Sequence, residues 1–224
     1  EFLRREARAR LELPALPIEL LPNFVDTDRF APAPGPRSGE LVLLHASNFR
    51  PVKRVGDLLE VLVRVRREAP ARLVLVGDGP ERAGLEARAA AMGLAAHVAF
   101  LGRRDDFLAE LQQADGFLLP SESESFGVAA LEAQSAGVPV FAYCVGGLPE
   151  VVAGGPARLI EPFDADAMAR AVIDALTAPD RGAPLGSAAR AHVLAHFRRQ
   201  PALDRCEAYL RRIVEGAAAA EVAS

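Results

Sequence analysis

The sequence contains no tryptophan and only two cysteines, two methionines and two tyrosines in 224 residues. Two cysteines, Cys144 and Cys206, are too few for the bridge network of a small secreted scaffold. No apolar run approaches the roughly 20 residues of a membrane span. The start lacks the order of basic, apolar and small residues that marks a secretion signal. There is no excess of basic charge: 26 Lys and Arg stand against 30 Asp and Glu, a net charge of −4. That balance argues against a nucleic-acid binder and favours small molecules and proteins as partners. The 18 Gly and 17 Pro are scattered, which excludes collagen-like and low-complexity classes. No segment repeats. The chain opens Glu1-Phe-Leu-Arg-Arg5 without an initiator Met, as expected of a chain that starts part-way through a longer protein. Together these absences describe a soluble, cytoplasmic protein.

What is present supports a sizeable core. Half of the residues are hydrophobic and a quarter are charged, which excludes wholesale disorder. Residues 1–12 carry charge at helical spacing and read as the end of a helix. Pro14, Pro17 and Pro22 break any continuation, and Ile18–Leu21 reads as a short strand. Residues 31–40 are a loop by composition. Beyond them, short apolar runs at 41–46, 72–76, 97–100, 116–119, 138–142 and 157–160 alternate with helical patterns. Those patterns lie near 55–68, 81–92, 105–113, 127–136, 147–153 and 165–178. Near-continuous apolar strands alternating with helices predict an α/β fold: a doubly wound, Rossmann-like parallel sheet covered on both faces. Residues 185–224 carry only helical patterns, ending in an Ala-rich tail expected to fray. The organisation read from this is a connecting segment at 1–20, a Rossmann-like domain at 21–184 and terminal helices at 185–224.

Ligands of such sheets bind beyond the carboxyl ends of the strands, so the segments that follow the strands are the candidates. After the first comes Ser47-Asn48-Phe49-Arg50-Pro51-Val52-Lys53-Arg54, with three cations suited to a phosphate or diphosphate; a solvated basic loop is the plainer alternative. After the second comes Gly77-Asp-Gly-Pro-Glu81, a turn with a helix cap, lacking the three-glycine dinucleotide fingerprint. After the fourth come Glu124-Ser125-Phe126-Gly127-Val128 and then Glu132, eight residues beyond Glu124. A helix starting near Phe126 turns free N–H groups at Phe126–Ala129 toward the ligand edge, which suits an anion. Two acids beside an anion site make sense as acceptors of hydroxyl hydrogen bonds; a capping acid and a surface acid are the alternative. After the fifth comes Gly146-Gly147, where a backbone can approach a ligand closely or merely turn.

Other features read as structural. His192-Val-Leu-Ala-His196 lacks the acid of a zinc-protease helix, and His45 and His97 read as satisfied histidines. Asp26-Thr-Asp28 and Asp164-Ala-Asp166 fall where turns and caps are expected. Cys144 reads as a small hydrophobe.

Taken in order, Leu21-Pro-Asn-Phe-Val-Asp26, Lys53, Val76–Glu81, Phe100-Leu-Gly102, Pro120-Ser121, Glu124–Gly127, Leu131-Glu-Ala133, Ala136–Pro139 and Gly146–Glu150 resemble the donor half of family 4 retaining glycosyltransferases. The resemblance covers roughly residues 20–155. It implies one half of a two-domain GT-B enzyme, with UDP-sugar as the donor substrate and no metal or other cofactor. It implies catalytic roles for Lys53 and Glu124. It implies donor binding by Asn48, Arg50, Lys53, Gly102, Arg103, Glu124, Ser125, Phe126, Gly127, Val128 and Glu132. Within that set, Glu132 is expected on the ribose hydroxyls, Glu124 on the donor sugar and Gly102-Arg103-Arg104 beside the base. Most of the family resembles Gly-Arg followed, after four intervening residues, by Lys-Gly; here Asn48 stands at the Arg position and Lys53 at that Lys. The stretch Ser47–Arg54 resembles the branch that joins N-acetylglucosamine to L-malate in bacillithiol biosynthesis, which implies L-malate as acceptor. The further partners expected are an N-terminal domain and a second copy in a homodimer. A dehydrogenase nucleotide domain and a non-catalytic sugar-nucleotide module are the alternatives, beside a family 4 glycosyltransferase with another donor or acceptor. The missing glycine fingerprint opposes the first, and the retained Lys53, Glu124 and Glu132 oppose the second.

Overall fold

The computed structural model describes residues 1–11, 18–21, 23–35, 39–152 and 157–222, with side chains described up to residue 215. The expected breaks at Pro14, Pro17 and Pro22 lie outside these residues, as do parts of the expected 31–40 loop and 147–153 helix.

Six parallel strands form one sheet in the order β3-β2-β1-β4-β5-β6. They are β1 Leu41–Ala46, β2 Ala71–Val76, β3 Val98–Gly102, β4 Gly116–Leu119, β5 Val140–Tyr143 and β6 Arg158–Ile160. The helices are α1 Phe2–Leu11, α2 Val55–Glu68, α3 Arg82–Ala91, α4 Leu108–Gln113, α5 Val128–Ser135, α6 Leu148–Val152, α7 Ala165–Leu176, α8 Ala183–His196 and α9 Arg199–Val222. The order reverses between β1 and β4, so the chain winds outward in both directions from that seam.

The two faces of the sheet build two cores. Alternate side chains of β1 divide between them: Leu41 and Leu43 pack with α2 and α7, Val42 and Leu44 with the α5 and α8 side. That two-sided burial is why β1 reads as an unbroken apolar run. On α2, Val55, Leu58, Leu59, Leu62 and Val65 recur at helical spacing, and all are buried.

Several expectations need correction. Ile18–Leu21 form no strand; Leu20 and Leu21 point outward at 41% and 38% exposure. Apolar composition supplied no neighbouring strand for them to pair with. The nearby backbone pairing is instead Val25, bridged to Arg198, with Val25 N donating to the carbonyl of Phe197 at 3.0 Å. β3 begins at Val98 because Ala95–His97 tighten into a 3-10 turn. β5 begins at Val140 because Val138 N still closes the end of α5 on Ala133 O. Helix α9 runs to Val222. No helix among the described residues is long and apolar enough to cross a membrane.

Candidate functional site

The strand order reverses between β1 and β4, and in open α/β sheets the crevice beyond the carboxyl ends at such a reversal is where ligands bind; two loops meet there. The β1–α2 loop is seated by Phe49, which is fully buried. Gly77 and Gly79 lie directly against it: a Cβ on either would stand 1.8 Å from Ser47 O or 2.7 Å from the Phe49 backbone. Phe49 N donates to Asp78 O at 2.9 Å, and Glu81 N donates to Phe49 O at 3.1 Å. The Gly77–Glu81 segment is thus a turn that shapes its neighbour.

Pro51–Lys53 then form a 3-10 turn, followed by Arg54 in the left-handed region at φ 48°. Arg54 forks onto Asp57 at 2.9 and 3.1 Å and lies 4.6 Å over the Phe163 ring. Asp57 also accepts from the Tyr143 hydroxyl at 2.9 Å. The expectation of three available cations is therefore corrected: Arg54 is bound to the fold, while Arg50 and Asn48 are exposed at the rim.

The β4–α5 loop is tied to the first by Glu122 N donating to Val52 O at 2.8 Å. Across this join, Lys53 Nζ donates to Glu124 Oε2 at 2.7 Å, the two side chains being 21% and 14% exposed. Ser121, buried beside them, places its Oγ 3.5 Å from the same oxygen. Gly146 and Gly147 hold this loop from behind. A Cβ on Gly146 would meet Glu124 O at 2.1 Å, one on Gly147 would meet Ser125 O at 2.2 Å, and Gly147 N donates to Glu124 O at 2.9 Å. The glycine pair approaches the 124–125 backbone, so its closeness is already used inside the protein.

Helix α5 starts at Val128, close to the expected start, with Gly127 as N-cap at φ 87°. Leu131 N is the first to bond back, to Gly127 O, so the free N–H groups belong to Val128, Ala129 and Ala130. Phe126 stays in the loop and packs edge-on against Phe197 at 6.0 Å. Its ring anchors the loop to the C-terminal segment, and its N–H is outside the helix end. Ser125 and Val128 are exposed at the mouth.

Glu132 lies within α5, half-buried, with no hydrogen bond to a described residue. Burial pushes its carboxyl up to about 7; the neighbouring charges Arg29 and Asp106 act on it in opposite senses. At the end of β3, Gly102 turns at φ 72° and its carbonyl accepts from Gly77 N at 2.8 Å, while Arg103 is exposed.

Beneath the crevice, His45 is completely buried, and desolvation holds its imidazole down to about 4. Its Nδ1 lies 2.8 Å from Leu118 O, which only accepts, so Nδ1 carries the proton. Nε2 then accepts from the Ser47 hydroxyl at 2.8 Å. The histidine is satisfied and structural, and it joins β1 to β4 under the first loop.

Two acidic pairs serve local structure. Asp26 Oδ1 accepts from Asp28 N and Arg29 N at 3.2 and 3.1 Å, and Asp164 caps α7 by accepting from Ala167 N at 2.7 Å. His192 Nε2 lies 3.0 Å from Val151 O. A hollow of about 900 Å³ lies at the opposite, amino edge near Val42, Arg72 and Asp115. None of the candidate residues lines it.

The fold thus joins Lys53 to Glu124 and leaves Asn48, Arg50, Arg103, Ser125 and Val128 exposed on the loops of the carboxyl edge. Sequence reading missed the Ser47–His45 support and the pairing of Arg29 with Asp106. The latter residues are 77 positions apart, and no local pattern links them.

Residues 26–192 match the family model for glycosyl transferases group 1. The chain belongs to this family. It is 37% identical over 174 residues to N-acetyl-alpha-D-glucosaminyl L-malate synthase of Bacillus anthracis, covering 77% of this chain and 46% of that protein. It is 34% identical over 212 residues to the GDP-mannose-dependent alpha-(1-6)-phosphatidylinositol monomannoside mannosyltransferase of Mycolicibacterium smegmatis, covering 84% and 56%. Among solved structures, the sucrose-phosphate synthase of Thermosynechococcus elongatus superposes with a TM-score of 0.82 at 26% identity, covering 95% of this chain and 57% of that one. The chain spans about half the length of the curated relatives it matches. Its fold is the Rossmann-like α/β unit of GT-B glycosyltransferases.

Proposed function

We propose that this glycosyl transferases group 1 chain binds the sugar-nucleotide donor of a retaining glycosyltransferase along the carboxyl edge of its sheet. The carrying observation is the Lys53–Glu124 pair at the β1–β4 seam, one cation and one hydroxyl acceptor held 2.7 Å apart. Breaking the bond between the anomeric carbon and the phosphate oxygen leaves negative charge on a nucleoside diphosphate. Lys53, Arg50 and the free N–H groups of Val128–Ala130 supply the countercharge, and such countercharge is a main source of rate in group transfer. No metal enters this reading, because side-chain cations and a helix end take the countercharge role. Glu124 accepts from the donor sugar's hydroxyls and Glu132 from the ribose diol.

The donor we assign is UDP-N-acetylglucosamine and the acceptor L-malate. The 37% relative and the Ser47–Arg54 stretch support this choice. Transfer itself belongs, in this proposal, to a protein of the relatives' full length, because both reactants must be held in one near-attack arrangement between two domains. GDP-mannose is the second reading, favoured by the 34% relative. Calorimetry on the 224-residue chain with UDP-N-acetylglucosamine and GDP-mannose in parallel separates the two. Tighter binding of the uridine donor supports the first reading, and tighter binding of the guanosine donor replaces it with the second. A folded chain that binds neither at millimolar concentration contradicts both.

A further inference from the structure

Arg54 follows Lys53 directly and adopts the left-handed conformation at φ 48°. A residue with a Cβ persists there only when its surroundings hold it, because the side chain crowds the backbone. Three elements hold Arg54. Asp57, in the first turn of α2, accepts from its Nε and Nη2 at 2.9 and 3.1 Å. Tyr143, fully buried on β5, donates its hydroxyl to the same carboxylate at 2.9 Å. Phe163, after β6, places its ring 4.6 Å from the guanidinium and edge-on to Tyr143 at 6.2 Å. Phe163 is itself left-handed, at φ 68°. Two of the three non-glycine residues with positive φ among those described therefore stack on one another. The main chain ties this cluster to Lys53. Lys53 N donates to Arg50 O at 2.8 Å, Arg54 N to Pro51 O at 2.9 Å and Asp57 N to Arg54 O at 2.9 Å. Residue 54 is thus the joint between the 51–53 turn and α2, and its φ sets the direction in which that turn leaves the helix.

We propose that Arg54 is a positioning residue for Lys53: clamped between Asp57 and Phe163, its side chain holds residue 54 left-handed, so that the 51–53 turn delivers the Lys53 ammonium to Glu124. Its bearing on donor binding rests on the donor-site reading above. The guanidinium is engaged by Asp57 and Phe163, so its effect on Lys53 passes through the main chain. That route separates alanine from glycine at position 54. Both substitutions leave Asp57 without its cation and Phe163 without its stacking partner. Glycine adopts a positive φ freely, whereas alanine keeps the crowding and has no clamp to offset it. A cation that touched the ligand would be missed equally in both variants, and a side chain that only packed would be missed more in glycine.

Lys53 is the only lysine in the sequence, so ¹³C-lysine labelling of the 224-residue chain reports on this side chain alone. The test combines that NMR signal with UDP calorimetry. A fixed Lys53 gives its two Hε protons different shifts, and Glu124→Gln supplies the reference for a released ammonium. Arg54→Ala is expected to average the two shifts and to weaken UDP binding roughly tenfold, the scale set by a left-handed Cβ. Arg54→Gly is expected to restore the shift difference and most of the affinity. Phe163→Gly removes a half-exposed ring without removing a charge, and it is expected to move both readouts in the direction of Arg54→Ala by a smaller amount. A lysine signal that ignores Arg54→Ala overturns the proposal, as does an Arg54→Gly variant impaired as much as Arg54→Ala in both readouts. Should Arg54→Ala not fold, a lysine signal that ignores Phe163→Gly overturns it instead. If the folded wild type binds no UDP, the donor-site reading fails, while the lysine signal still decides whether Arg54 positions Lys53.

Discussion

Lys53 and Glu124 stand 71 residues apart in sequence and share a hydrogen bond in the fold, so each is half of one device. In the proposed site, removing the cation takes away a contact whose strength grows as the diphosphate leaves. In the full-length enzyme, Lys53→Ala is expected to lower turnover by about a hundredfold, on the order of 3 kcal/mol of barrier. The melting temperature should move little by comparison. Lys53→Arg restores only part of the rate, because a planar fork cannot occupy the place of a point charge. Beneath them, His45 makes a pH-dependent contribution whose sign is fixed. Its folded value of about 4 lies below the unfolded value of 6.5, so the unfolded chain takes up the proton first. Its contribution is constant above about pH 6.5 and is lost as pH falls, by ~3 kcal/mol at pH 4. Glu132 works the other way: its raised carboxyl favours the folded state as pH falls from 7 toward 4.5. Comparing His45→Gln with wild type by urea unfolding at pH 7 and 4.5 isolates the histidine, and the variant is expected to lose less stability on acidification. Lys53, Glu124 and Glu132 stand out in the sequence by residue type and by their place after strands, and the roles proposed for them come from the family resemblance. The pairing of Arg29 with Asp106 does not stand out, because only the fold brings them together.

At the scale of elements, the strands were legible wherever both faces are buried, since an apolar run then survives without alternation. β1 and β4 matched the reading to the residue. Ile18–Leu21 failed because pairing depends on a neighbour, which composition does not reveal. The start of α5 was legible to within two residues, and Phe126, just before it, is a loop residue packed on Phe197. Gly146-Gly147 was legible as a place of close approach, although what approaches is the Glu124–Ser125 backbone. That contact gives a contrast between two glycines. Gly147→Ala drives a Cβ to 2.2 Å from Ser125 O, and a main-chain atom in a packed loop yields little. It is expected to cost about 2–3 kcal/mol and to weaken donor binding with it. Gly93→Ala meets open space at φ +71°. It costs only the ~1 kcal/mol of a left-handed alanine and leaves binding intact. Chemical unfolding together with UDP calorimetry on the two variants checks both expectations.

At the scale of the whole molecule, the site depends on a sheet wound outward from one seam, and contacts at the amino end of that seam tie β1 and β4 to the segment before α8. Arg181, in the left-handed region at φ 48°, binds Asp115 through two nitrogens at 3.0 and 2.7 Å and the carbonyl of Gly39 at 2.8 Å. Asp115 is buried at the start of β4 and also accepts from Val42 N at 2.8 Å. Arg181→Ala leaves that carboxylate without its cation and is expected to cost about 3 kcal/mol in urea unfolding. UDP binding to the protein that remains folded should be unchanged, because the pair sits at the amino edge. The strand order 3-2-1-4-5-6 is what turns a list of loops into one crevice, and local sequence does not encode that order. The central claim is that this crevice is a nucleoside-diphosphate site built on Lys53, and isothermal titration of the chain with UDP tests it most directly. Saturable one-to-one binding by the wild type, at least tenfold weaker in a folded Lys53→Ala variant, is the predicted result. Equal affinity in the two proteins, or no binding by the folded wild type at millimolar UDP, would contradict it.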